Sequence, residues 1–289
     1  MKELTVISGK GGTGKTSITA AFASLSQHAV FADCDVDAAD LHLILKPKIK
    51  KTMNFQGLQI ASIDESLCVD CKKCHESCRF DAIDENIHLR KESCEGCGVC
   101  VYVCPVNAIT MVDRQSGYAY LSETRFGPMA HAVLSTAEEA SGKLVTMVRN
   151  IASDIAKQEK KSLILIDGPP GIGCPVIASI TGVDLVLIVT EPTLSAIHDL
   201  ERIFSVAQHF NIPAVVCINK STINLDNTSM IEQYCKKNSI AIVGKLPYDI
   251  TITQAMIHEQ SAIEFSDGVL SKKLREMWNT ILEVLQPYG

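Results

Sequence analysis

Eight of the chain's twelve cysteines fall between residues 68 and 104, in two runs of the form C-x2-C-x2-C-x3-C. Three thiolates at successive i+3 steps can wrap one face of an iron–sulfur cubane, while a fourth arrives from elsewhere. The runs, "CVDCKKCHESCRFDAI" and "CEGCGVCVYVCPVNAI", begin 26 residues apart and share spacing and ending, so they are a duplicated unit. When two such runs coexist, the fourth cysteine of each ligates the other cluster. The expected sets are therefore crossed. Cys68, Cys71, Cys74 and Cys104 hold one [4Fe–4S] cluster; Cys94, Cys97, Cys100 and Cys78 hold the other. Zinc is the rival ligand, but its sites more often show paired C-x2-C separated by a longer loop. The spacing favours iron and sulfide. One position departs from symmetry, since the second run ends in Cys104-Pro105 and the first in Cys78-Arg79. Arginine keeps a backbone N–H and brings positive charge, and both would raise the potential of the cluster that Cys78 ligates.

The second chemical signal is "GKGGTGKTS", residues 9 to 17. Gly9, Gly14, Lys15 and Thr16 satisfy the phosphate-loop pattern G-x-x-x-x-G-K-[ST], between a strand-like and a helix-like segment. Lys10, Gly11, Gly12, Thr13 and Ser17 complete the candidate nucleotide-binding loop. Glycines let backbone N–H groups converge on phosphate oxygens, and the helix N-terminus adds a favourable dipole. Lys15 is expected across the β- and γ-phosphates of ATP, with the Thr16 hydroxyl on Mg²⁺.

The lysine at position 10, directly after the first glycine, resembles the deviant phosphate loop of the MinD/Mrp/nitrogenase-iron-protein family, K-G-G-x-G-K-[ST]. The resemblance implies that Lys10 reaches across a homodimer interface to the partner subunit's nucleotide. "DCDVD" is similar to that family's first switch, which makes Asp35 the residue that orients the attacking water. "LILIDGPPGIG" resembles the Mg²⁺-side strand and second switch, with Asp167 behind the metal and Gly168 to Gly171 near the γ-phosphate. "CINK" resembles the strand whose asparagine, Asn219, reads the adenine edge. "KLPYD", with Pro247 and Asp249, resembles the loop that covers the base. Lys10, Lys15 and Asp35 are the candidate catalytic residues, for a slow hydrolysis completed only in a dimer. Asp33 and Asp37 read as the polar end of a strand.

The remaining cysteines carry less. Cys34 and Cys217 lie in apolar strands and read as core. Cys235 reads as incidental on a surface-like helix. Cys174, after the second-switch glycines, reads as packing, with a dimer-interface role the weaker alternative. The eight histidines show no metal-ligand spacing.

These residues need a scaffold. The strand-like segments "ELTVIS", "AVFAD", "SLILID", "DLVLIVTEP", "AVVCINK" and "IAIVGKLP" alternate with helix-like ones, which implies a doubly wound, mostly parallel α/β sheet. The expected organisation is a phosphate-loop ATPase domain at 1–57 plus 112–289. A small α+β ferredoxin-like domain is inserted at 58–111, reached through a polar connector, "KPKIKKTMNFQ". The C-terminal amphipathic stripe of Leu270, Leu274, Trp278, Ile281 and Leu285 is expected to pack on the sheet rather than on a membrane. At 289 residues, 46% hydrophobic and 21% charged, the chain can bury a sizeable core. A net charge of −6 and a pI near 5.8 give no electrostatic reason to expect nucleic acid or an anionic membrane as partner. No apolar run reaches the roughly 18 residues of a span, and no leader is apparent, so a cytoplasmic location is expected. Three functions suit this combination. They are ATP-gated electron delivery to a redox partner, an ATP-dependent scaffold or carrier in metallocofactor or iron–sulfur assembly, and, ranked last for want of a glutaminase-like domain, an amide synthase.

Overall fold

The computed structural model describes residues 1–135 and 141–286. The chain forms two compact units. One comprises Met1–Thr52, Ala119–Val133 and the chain from Ser141 onward; the other comprises Met53–Tyr118 with a short return from Leu134.

The first elements are β1 (Lys2–Ser8), α1 (Lys15–Leu25), β2 (Ala29–Asp33) and α2 (Leu41–Leu45). A long strand, β3 (Lys48–Ile63), leads to the short helices α3 (Lys73–Ser77) and α4 (Val99–Val103). The chain returns on β4 (Ile109–Thr124) and turns into β5 (Gly127–Leu134), followed by α5 (Ser141–Gln158). Regular alternation then runs through β6 (Leu163–Pro170), α6 (Cys174–Ile180), β7 (Leu185–Thr190), α7 (Leu194–His209), β8 (Ala214–Ile218), α8 (Leu225–Lys237) and β9 (Ala241–Lys245). Three helices close the chain: α9 (Thr251–Ile257), α10 (Ala262–Phe265) and α11 (Val269–Leu285).

Within the larger unit the strands lie in the order β5-β2-β6-β1-β7-β8-β9, and every pairing along that row is parallel. In the five inner strands, β2, β6, β1, β7 and β8, the runs of Val, Ile, Leu and Ala are buried on both faces, as strands covered by helices on two sides require. From β1 the chain passes to β2 on one side, while β7, β8 and β9 extend the other. The order therefore reverses at β1, and the carboxyl end of that strand is where a doubly wound sheet opens a ligand crevice. The loop 9–14 sits there. The α/β class read from the sequence is the one observed.

The C-terminal stripe packs as expected. Leu270, Leu274, Trp278, Ile281 and Leu285 are all buried, and the Trp278 ring lies 4.8 Å from that of Phe22 on α1. Among the described residues no helix is long and apolar enough to cross a membrane.

Three expectations need correction, and the first is Cys174, which reads as packing in the sequence but is exposed at the start of α6. The polar stretch 46–56 is no connector: it opens on the C-cap of α2, and Lys48 onward is the first half of β3, whose exposed residues 48–52 carry three lysines. Lysines on a strand flank lack the apolar alternation by which a strand is recognised, yet they are what keeps an open edge from pairing with other chains. Cys235, read as incidental, is fully buried on α8 with Thr228 and Ile231 at helical spacing, and burial pushes its thiol up to about 11. Cys34 and Cys217 are core residues, as expected, with the Cys217 thiol pushed up to about 12. The stretch "EEASGKLVTMVR", residues 138–149, which resembles the helix after the insert in ATPases of the MinD/Mrp/nitrogenase-iron-protein family, lies partly outside the described residues.

Candidate functional site

The loop after β1 is shaped by left-handed glycines, with φ of 79° at Gly12 and 91° at Gly14. Gly14 has a second constraint. A Cβ there would lie 2.4 Å from the Asn219 side-chain nitrogen, so no other residue fits without displacing Asn219. α1 begins at Lys15, which places the loop's N–H groups and the helix N-terminus together.

Lys15 is buried. Its Nζ lies 2.8 Å from Asp35 Oδ2 and 3.8 Å from Asp167 Oδ1. Burial alone would lower the lysine's pKa, but Asp167 and Asp35 outweigh it, and the net shift is upward. The ammonium is therefore held charged inside the protein. Asp167 accepts from the Thr19 hydroxyl at 3.1 Å and from Thr16, while its Oδ2 is buried without a partner. An orphaned carboxylate oxygen beside a threonine hydroxyl fits a hydrated divalent cation, whose bound water would supply the missing donor.

Asp33 is more than a polar strand end. It is fully buried and accepts backbone N–H bonds from Asp35 at 3.2 Å and Leu41 at 3.3 Å. It thereby ties down the loop that carries Asp35. Burial, reinforced by the charge of Asp167, pushes the Asp33 carboxyl well above its ordinary range. Asp37, by contrast, is exposed, as a polar strand end would be.

A cleft of about 480 Å³ opens over these groups. That is within the range of small-molecule sites, roughly 300–1,000 Å³. Gly11 to Ser17 and Asp35 line its inner end; Asn219, Pro247 and Asp249, with Tyr248 and Met256, line its outer wall. With Pro170 at the end of β6, the structure thus brings together residues from five distant segments. Asn219 has a further engagement: its amide donates to the Thr13 carbonyl at 2.7 Å, and its oxygen accepts from the Lys220 N–H at 2.9 Å. It braces the loop from behind while facing the cleft.

Gly9 and Lys10 lie away from that cleft, in a small hollow against β7 and α7. Lys10 Nζ lies 2.8 Å from Glu191 Oε1 and within 3.3 Å of the Thr193 and Ser195 hydroxyls. The other oxygen of Glu191 holds Lys220 at 2.8 Å, and Lys220 also donates to the Gly12 carbonyl at 2.9 Å. Burial alone would raise the Glu191 carboxyl, but the two lysines carry it below its usual range. Glu191 and Lys220 escaped the sequence reading. The available signal was an acid standing directly after strand β7, the apolar run Leu185–Val189 closed by Thr190.

The smaller unit repeats itself in backbone as well as in sequence. α3 and α4 are displaced by 26 residues, and left-handed φ angles recur at the same offset: Asp70 and Gly96, Lys72 and Gly98, Asp81 and Asn107. Gly96 is also pressed against the backbone, since a Cβ there would lie 2.2 Å from the Gln59 carbonyl oxygen.

Cys78, Cys94, Cys97 and Cys100 line one hollow with Ile83, Leu89 and Met111. Cys68, Cys71, Cys74 and Cys104 line a second, with Ile87, Val106 and Ile109. Each hollow thus gathers three cysteines of one run and the fourth of the other. Among the described residues no three acidic, cysteine or histidine side chains are gathered tightly enough for a single metal ion. The thiols instead ring apolar hollows, an arrangement that fits a larger, polynuclear group. Burial raises the Cys74 and Cys100 thiols, against backbone N–H groups that favour the thiolate. The Ala108 N–H points to Cys104 Sγ at 3.3 Å.

Comparison with known proteins follows this division. Residues 61–111 match the 4Fe-4S dicluster domain family. The chain superposes on the septum site-determining protein MinD of Pyrococcus horikoshii, solved with Mg-ADP, with a TM-score of 0.59 and 16% identity over 97% of this chain and 95% of that one. A ParA family ATPase from Chlorobium tepidum gives a TM-score of 0.57 and 17% identity over 96% and 98%. The molecule therefore has the fold of MinD/ParA phosphate-loop ATPases interrupted by a two-cluster iron–sulfur domain. It is 33% identical over 286 residues to the uncharacterized protein MJ0578 of Methanocaldococcus jannaschii, spanning 98% of this chain and 97% of that one, and it belongs to that protein's family.

Proposed function

We propose that this chain is an ATP-hydrolysing redox protein, in which nucleotide-driven closure of a homodimer controls electron exchange between two [4Fe–4S] clusters and a partner protein. One observation carries the electron-delivery reading: both thiol quartets are complete within a single chain, each around its own apolar hollow. Clusters ligated by four thiolates of one chain are resident groups, and when bound they supply one-electron storage.

On the nucleotide side, Lys15 is the key group. Its pairing with Asp35 neutralises both, so phosphate oxygens that draw Lys15 away would free Asp35 to accept a hydrogen bond from water. Asp33, by pinning the Asp35 and Leu41 N–H groups, fixes where that carboxylate points. Thr16 and Asp167 would hold Mg²⁺, which supplies charge neutralisation at the phosphates. Lys10 is folded onto Glu191 of its own chain, and acting in trans requires it to exchange that partner for a phosphate. Hydrolysis by one subunit alone is accordingly slow, and closure completes the positive charge.

Anaerobic protein with both clusters, titrated with a reductant in the presence of ATP or ADP, tests the reading. Electron exchange that is reversible, resists iron chelators and changes rate with nucleotide supports it. Exposed Cys71 and Cys97 favour the alternative, a carrier of clusters, because a thiolate open to solvent can be displaced. Loss of iron and sulfide to an acceptor protein on ATP hydrolysis would establish that alternative instead.

A further inference from the structure

The duplicated cysteine run is an internal control. Its two copies share helix position and left-handed backbone angles at an offset of 26, so differences at equivalent positions are not imposed by holding a cluster. In each copy the second cysteine, Cys71 or Cys97, is the exposed one. What surrounds it differs.

Beside Cys71 stand Lys72 and Lys73, both exposed and, among the described residues, without an ion-pair partner. Beside Cys97 the equivalent residues are Gly98 and Val99. From 69 to 73 the sequence carries two lysines and one aspartate; from 95 to 99 it carries one glutamate and no lysine. The local sign is reversed between copies. The background makes this more telling, because residues 53–118 hold six basic side chains against ten acidic. The Cys71 corner is thus a basic spot on an acidic unit. Apolar surface accompanies it: Val69 is 60% and Val106 37% exposed, and both line the hollow of Cys68, Cys71, Cys74 and Cys104, as does Lys72. A small apolar centre with a charged rim is how protein docking surfaces are built, and a rim charge acts chiefly on encounter rate.

We propose that the Cys71 corner is the docking surface for a redox protein with an acidic patch, steered by Lys72 and Lys73. One electron passes from the partner's reduced centre to the oxidised cluster held by Cys68, Cys71, Cys74 and Cys104. The partner's centre is oxidised by one electron and the cluster reduced by one, with no bond made or broken. This inference rests on the electron-exchange reading of the clusters.

The test uses the full chain with both clusters, under anaerobic conditions, and a reduced acidic flavodoxin as probe. Stopped-flow reduction of the wild type should slow as salt rises. Replacing the lysines with the residues of the other copy, Lys72→Gly with Lys73→Val, should lower the low-salt rate about tenfold and flatten its salt dependence. Calorimetric affinity for oxidised flavodoxin, which needs no turnover, should fall in parallel, while both midpoint potentials stay unchanged. An unaltered rate and salt slope would overturn the proposal. So would a shift in the cluster's potential that accounts for the rate, because Lys72 would then be tuning the cluster rather than steering a partner. Lys73→Val alone keeps the question decidable should the double variant lose iron. Failure of small neutral mediators to reduce either cluster would instead sink the electron-exchange reading itself, and this inference with it.

Discussion

The two candidate sites are built in opposite ways. All eight thiols of the cluster unit come from residues 68–104, and their grouping follows from spacing and one internal duplication. The nucleotide cleft instead draws Lys15, Asp35, Asp167, Asn219 and Pro247 from segments spread over more than two hundred residues, delivered to one edge by successive parallel strands. Local sites tolerate change elsewhere in the chain. Distributed sites depend on the register of the whole sheet, so a disturbance in any strand reaches the chemistry.

The strongest way to break this contrast is on the distributed side. Lys15→Ala, Lys10→Ala and Asp35→Ala should each lower steady-state phosphate release by about 100-fold or more, since each removes charge or orientation at the reacting phosphate. Lys15→Ala leaves Asp35 and Asp167 facing each other, so circular dichroism should accompany that assay. Normal turnover in all three variants would remove the nucleotide assignment.

The local side has a test of comparable size. Cys78→Ser should remove the same cluster as Cys97→Ser, and Cys104→Ser the same one as Cys71→Ser, halving iron content each time. Electron paramagnetic resonance of the surviving cluster distinguishes the pairs. Matching of Cys78→Ser with Cys71→Ser would mean each run serves its own cluster. A finer probe is Arg79→Pro, which should lower the midpoint potential of the cluster ligated by Cys78 and leave the other in place; equal values in wild type and variant would exclude a role for that arginine.

Between these extremes lies Asp33, a positioning residue. Asp33→Ala should reduce kcat by roughly tenfold with little change in KM, because it frees the Asp35 loop without touching the nucleotide. Asp33→Asn keeps one acceptor and should recover part of the loss. A change confined to KM would place Asp33 in binding instead.

The last effect concerns stability rather than turnover. His131 is buried against Ser122 and stacked on Tyr120, and burial with nearby His42 lowers its pKa from 6.5 to about 4. The unfolded imidazole takes up a proton below 6.5 while the folded one does not until about 4. Stability should therefore fall as pH drops through that window, by roughly 3 kcal/mol at most. Thermal melts of the wild type and His131→Gln over that window check this; parallel pH dependence in the two would assign the loss to other groups.

Much of the molecule was legible beforehand. Runs of Val, Ile and Leu gave away the parallel strands, and Leu270 to Leu285 the packed final helix. Two misreadings share a cause. Residues 48–56 looked like a connector because their lysines mask a strand, and Cys235 looked incidental because α8 is mostly polar outside its narrow stripe of Thr228, Ile231 and Cys235. Neighbour identity decides burial, and neighbours across a sheet do not appear in a window of sequence.

The sequence by itself determined the two kinds of chemistry, since a phosphate loop and a repeated thiol run are local patterns in which spacing sets ligand geometry. Only the tertiary structure decided how Glu191 divides its two oxygens between Lys10 and Lys220, that Asp33 is a buried tether, and that Asn219 braces the loop it faces. Those roles arise where strands distant in sequence meet side by side, and the contacts exist only once the sheet has fixed its order.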